Sequence, residues 1–138
     1  MQTDSADRSV AAVQHLIMTA MDSLLDPQRP VSELAAFFSA DYQQWVDGKT
    51  LDFDGFLQHA RKLKSVLTEG KVTINRLLVS GDQAATRHDV EIMKRNGEAA
   101  RVRVIALFSL RGDRITAVEE LTYLLEGSQE DHHLGSQC

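Results

Sequence analysis

The residues best suited to chemistry in this chain cluster in two places. Arg87, His88, Asp89 and Glu91 fall within the polar–apolar alternation of Ala84 to Lys94, and Glu119 and Glu120 stand together near the end of a later apolar stretch. Carboxylates of this kind can move a proton if burial raises the pKa of one while a guanidinium keeps another ionised. Tyr42 and Gln44, two residues apart, could add a hydroxyl and an amide to the same face of a strand. No phosphate-cradling glycine loop or spaced set of metal ligands accompanies them, so neither an organic cofactor nor a metal is expected. The single cysteine, Cys138, leaves no internal disulfide and no thiolate cluster. The pair His132-His133 could touch a metal, but it sits in a polar tail and reads more readily as solvated.

These residues need elements to hold them. Val10, Val13, Ile17, Met21 and Leu24 recur at three- and four-residue steps, which predicts an amphipathic helix ending at Asp26-Pro27. Ser32 is a plausible N-cap for a second, short helix carrying Leu34, Phe37 and Phe38. Asp41 to Val46 reads as a short strand stopped by the turn signal Asp47-Gly48. A third helix, capped by Asp52 or Asp54, presents Phe56, Ala60, Leu63 and Leu67 and is ended by Gly70. From Lys71 to about Leu125 the pattern is β throughout, with turns at Ser80-Gly81-Asp82, Asn96-Gly97 and Arg111 to Arg114. Helices first and strands after them predict an α+β fold, three N-terminal helices on one curved antiparallel sheet. The whole reads as one domain over residues 8–125, with loose ends at 1–7 and 126–138.

The strand register decides which side chains face the covered side. Val102, Val104, Ala106, Phe108 and Leu110 share one face of their strand, and five apolar residues in alternation mark it as buried. If Asn96-Gly97 is a two-residue turn, Arg87 pairs with Ala106, Asp89 with Val104 and Glu91 with Val102, which places all three ionisable groups on that face. They then form either a structural ion pair or a polar patch in an apolar pocket. A register shifted by one would put Thr86, His88, Val90 and Ile92 inside, with His88 as the candidate acid or base. One of Glu119 and Glu120 must also point inward. A glycine bulge in the Arg111–Arg114 turn selects Glu120, the preferred reading, and a plain two-residue turn selects Glu119. Val104 and Phe108, with Tyr42, Gln44 and His88, are the candidate ligand contacts.

With its order of helix, short helix, strand, helix and long antiparallel strands, the chain resembles the nuclear transport factor 2-like superfamily, in its SnoaL-like branch, over roughly residues 8 to 125. Local echoes are Trp45-Val46-Asp47-Gly48, Ala85-Thr86-Arg87-His88, and Gly112-Asp113-Arg114-Ile115 leading to Glu120-Leu121-Thr122. The resemblance implies a cystatin-like, cone-shaped α+β barrel with a deep pocket, often dimeric through the exposed sheet face. Arg87-His88-Asp89 is similar to the Arg-x-Asp of limonene epoxide hydrolase, Glu120 falls near its second Asp, and Tyr42-x-Gln44 is similar to its Tyr-x-Asn. Glu for Asp and Gln for Asn each displace the functional group by one methylene. The SnoaL cyclases and ketosteroid isomerase use a pocket Asp as general base, which implies that role for Asp89.

Two functions follow as expectations. One is an enzyme of isomerase, cyclase or epoxide-hydrolase type acting on a small apolar molecule, with Asp89, Arg87 and Glu120 as its catalytic groups. The other is a ligand-binding or dimerisation module without catalysis, in which Arg101, Arg103, Ile105 and Leu107 lie outward and pair two copies into a homodimer. A formal charge of -5 offers no basic surface for nucleic acid. The absence of a long apolar run or a secretory leader points to a cytoplasmic protein that does not enter membranes.

Overall fold

The computed structural model describes residues 9–127. Helix α1 (Val10–Leu25) opens with Ser9, whose hydroxyl accepts from the Ala12 N–H, and ends at Asp26 before Pro27. The expected second helix is a 3-10 helix, Val31–Ala36, preceded by Pro30 with no side-chain cap, so Ser32 lies inside it. Strand β1 (Phe38–Val46) follows, then β2 (Lys49–Asp52), an element the sequence reading omits. Asp47 and Gly48 both adopt positive φ, which is what a two-residue hairpin between β1 and β2 requires. Helix α2 (Phe53–Val66) is capped by Asp52, which accepts from the Gly55 N–H.

Strands β3 (Leu67–Ser80), β4 (Gln83–Lys94), β5 (Ala99–Arg111) and β6 (Arg114–Glu126) complete a six-stranded sheet ordered β2-β1-β6-β5-β4-β3. Gly70 does not end a helix. It lies in β3, where a Cβ would stand 2.9 Å from the Leu25 Cβ, so glycine here lets the end of α1 rest on the sheet. The sheet is not wholly antiparallel either, because β1 runs parallel to β6. Parallel neighbours need a crossover, and here α2 and four strands, β2 to β5, supply it.

One loop overturns the expected register. The Lys94 carbonyl accepts from the Gly97 N–H at 2.9 Å, and the Lys94 N–H donates to the Glu98 carbonyl at 2.8 Å. Arg95, Asn96 and Gly97 therefore form a three-residue loop with glycine in the left-handed position (φ 88°). That moves every pair by one residue. Arg87 stands opposite Ile105, His88 opposite Val104, Asp89 opposite Arg103 and Glu91 opposite Arg101. Thr86, His88 and Ile92 are buried, and Arg87 and Glu91 are exposed.

The core lies between the inner sheet face and the helices. It includes Val13, Ile17 and Leu25 of α1, Phe56 and Ala60 of α2, and Val102, Val104, Ala106, Phe108 and Leu110 of β5. Lys64 of α2 fastens the two helices, donating to the carbonyls of Ser23 at 2.5 Å and Asp26 at 2.6 Å. A cation is favourable there, at the negative end of the α1 dipole.

Candidate functional site

The core is not filled. A cavity of about 90 Å³ lies between α1, α2 and the inner faces of β1, β4, β5 and β6. That is room for several waters or one small organic molecule. Most of its wall is apolar, and one end is closed by Phe38, Tyr42 and Phe56, whose ring centroids are 4.7–4.9 Å apart. The polar side chains that reach it are Tyr42, Gln44, His59, His88, Glu120 and Thr122.

Glu120 faces inward because β6 slips by one residue after its turn. Arg111 pairs with Arg114 across a two-residue turn, Leu110 with Ile115, and then Ser109 with Ala117, so the bulge falls in the strand at Thr116. From there Glu120 pairs with Ala106, whose small side chain leaves the neighbouring space open. On its other side Glu120 has Val46 as parallel neighbour. Burial first, and then the charge of Asp47, pushes the Glu120 carboxyl up to about 7. Asp47 is held close by the turn: its N–H donates to the Glu120 carbonyl at 3.1 Å. Its carboxylate accepts from the Thr122 N–H at 2.9 Å and from the Thr122 hydroxyl.

His88 is fully buried at the centre of β4, its Nδ1 2.8 Å from Thr86 Oγ1. Its Nε2 has no hydrogen-bond partner among the described residues. Burial lowers its pKa to about 4 against a small opposing effect of Asp89, so the ring is neutral at physiological pH. His59 of α2 is likewise lowered to about 4, by burial and then by Lys62. The Tyr42 hydroxyl donates to Gln44 Oε1 at 3.0 Å. Burial, aided by Glu120, holds that phenol well above its ordinary pKa. The cavity thus combines one carboxyl poised near neutrality, two neutral imidazoles and a protonated phenol, a set able to exchange a proton with a bound molecule.

Of the residues expected here, Tyr42, Gln44, His88, Val104, Phe108 and Glu120 line the cavity. Arg87 and Asp89 do not. Both lie on the outer face, where Asp89 accepts a bidentate pair from Arg103, Nε to Oδ1 at 2.8 Å and Nη2 to Oδ2 at 3.0 Å. That pairing, with the Arg103 hydrogen bond as the main cause, holds Asp89 below its ordinary pKa, the opposite of what a general base in an apolar pocket requires. The catalytic roles expected for Asp89 and Arg87 therefore fall with the register that carried them. His59 and Thr122 were missed. His59 had a legible signal, since it stands one turn after Phe56 and beside Ala60 on the apolar face of α2. Among the described residues no group of three His, Cys, Asp or Glu is gathered to hold a metal ion, and His132-His133 lies outside them. No helix among them is long and apolar enough to cross a membrane.

A sequence profile of the SnoaL-like domain matches residues 11–118, and the chain belongs to that family, within the nuclear transport factor 2-like superfamily. An uncharacterised protein of Schizosaccharomyces pombe is 35% identical over 123 residues, spanning 89% of this chain and 95% of that one. The fold is shared with a solved NTF2-like protein of Anabaena variabilis, with a TM-score of 0.69 at 14% identity over 91% of this chain and 96% of that one. It is shared too with a ketosteroid isomerase-like protein of Catenulispora acidiphila solved in complex with trimethylamine, at 0.64 and 21% identity over 80% and 87% of the two chains.

Proposed function

We propose that this protein binds a small apolar molecule in the cavity and that Glu120 exchanges a proton with it. The observation that carries the reading is a single carboxyl, pushed up to about 7, in the wall of an apolar cavity that holds neutral imidazoles and, among the described residues, no basic side chain paired to it. A carboxyl near the working pH serves equally as acid and base. Isomerisation, cyclisation and epoxide opening each need that one step. Tyr42 and His88 would bind and orient the substrate, and neither carries charge.

The test is a panel of small ketones, esters and epoxides, screened for turnover and for shifts of the Tyr42 and His88 resonances. One class should bind, and Glu120→Gln should lower its conversion by roughly 10²–10⁴-fold. Full turnover in that variant would remove the proton-transfer role. If no panel member disturbed either resonance, the pocket itself would be in question.

A second reading, compatible with the first, concerns the outer face. Ile105 (54% exposed) and Leu121 (57% exposed) are cross-strand neighbours there, flanked by Leu107 and Tyr123. Arg76 and Arg87 border this strip on one side and Glu119 on the other, so a second copy can set arginines against a glutamate while covering the apolar centre. We assign this face to a homodimer. Light scattering should return twice the monomer mass for the native protein and the monomer mass for Ile105→Glu; a native monomer at high concentration would refute the assignment.

A further inference from the structure

His88 has a hydrogen-bonding deficit whose sign can be worked out. Two tautomers are available to a neutral imidazole, and each uses Thr86 differently. If Nδ1 carried the proton it would donate to Thr86 Oγ1. The Thr86 hydroxyl proton would then lack an acceptor, since that buried oxygen is hydrogen-bonded to His88 Nδ1, and Nε2 would lack a donor. If Nε2 carries the proton, the hydroxyl donates to Nδ1 and only the Nε2–H is left without a partner. One unsatisfied group instead of two favours the second arrangement.

A second donor stands across the same cavity. Gln44 spends its carbonyl oxygen on the Tyr42 hydroxyl, which leaves its amide N–H groups to give. Glu120 adds an O–H whenever it is protonated. His88, Gln44 and Glu120 all line this largely apolar space. Of these groups the buried His88 Nε2–H is the one left without an acceptor among the described residues.

We propose that the Thr86 hydroxyl locks His88 in the Nε2–H form, so that the cavity selects an uncharged apolar ligand bearing an acceptor oxygen over a hydrocarbon of the same shape. Thr86 is thus a positioning residue, acting through the imidazole. The ligand class rests on the pocket reading above, whereas the tautomer does not depend on it.

Both halves can be tested on the full-length protein. Long-range 1H–15N spectra of the ligand-free protein should show His88 protonated at Nε2. Thr86→Val should shift it toward the other tautomer or a mixture, and Thr86→Ser, which keeps the hydroxyl, should restore the native pattern. Cyclohexanone and methylenecyclohexane serve as matched probes, alike in shape and different in the oxygen. The ketone should bind about tenfold more tightly, as one added hydrogen bond allows. That preference should vanish in Thr86→Val and survive in Thr86→Ser. An Nδ1–H signal in the native protein would overturn the proposal outright. Equal binding of the two probes would overturn the selectivity while the tautomer stood. Failure of both probes to enter, with the Nε2–H form observed, would overturn the ligand class and point to the pocket reading as the fault.

Discussion

Glu120 and Asp89 belong to neighbouring regions of one sheet and differ in almost nothing but the face they occupy. Each is a carboxylate one strand away from β5, Glu120 beside Ala106 and Asp89 beside Arg103. On the inner face Glu120 loses most of its water, gains no cation among the described residues and has Asp47 for a neighbour, so its proton is held up to about pH 7. On the outer face Asp89 meets a guanidinium in bidentate geometry and is held ionised. Residue type therefore says little about which of them can work as an acid or base. The hairpin that fixes the register says most of it, because a slip of one residue exchanges the two faces.

The largest effects test the inner face from the acid side. His59 and His88 have folded pKa values lowered from 6.5 to about 4, so the stability tied to their neutral forms is full above 6.5 and is lost as pH falls toward 4. Each should account for on the order of 3 kcal/mol over that window. Urea unfolding should show His88→Gln with a visibly shallower acid decline than the native chain, and an unchanged slope would mean the imidazole is not desolvated. Glu120 works the other way. Its folded pKa is raised from 4.5 to about 7, so its contribution is present below 4.5 and is lost as pH rises through 7. Glu120→Gln should match the native protein near pH 4 and exceed its stability at pH 8 by on the order of 3 kcal/mol. Together the three groups predict a stability maximum near pH 6.5.

A smaller effect isolates the neighbour. Asp47→Asn keeps an acceptor for the Thr122 N–H but removes the charge, so the Glu120 carboxyl, followed by 13C shift against pH, should titrate lower. It should stay above its ordinary 4.5, since burial is the larger cause. The smallest effect is expected outside. Asp89→Asn breaks a partly exposed ion pair and should cost no more than about 1 kcal/mol. It should leave ligand shifts at His88 unchanged; a loss of binding would restore Asp89 to the site.

Much of this was readable beforehand. The alternation of Val102 to Leu110 identified the buried face, and period two carried Tyr42 and Gln44 to it together. What failed was a loop length. Asn-Gly favours a two-residue turn, yet glycine also suits the left-handed end of a three-residue loop, and the dipeptide alone does not distinguish them. The strand itself held the better signal, because Val90 and Ile92 are apolar where Arg87, Asp89 and Glu91 are charged. Glu120 was placed inward for a different reason from the one expected, a bulge at Thr116 and not in the turn. The Asp47–Thr122 contact joins residues far apart in sequence and leaves no local trace.

The parallel seam between β1 and β6 has a consequence for how the molecule comes into being. Tyr42 and Gln44 are made early, but the strand that fixes them beside Glu120 is the last in the described chain. During synthesis β1 has only β2 as a sheet partner, a two-stranded unit marginal in water, until residues 115–120 of β6 have left the ribosome. The cavity is therefore assembled at the end and through long-range pairing, the regime in which folding is slow and unpaired strand edges stay exposed longest.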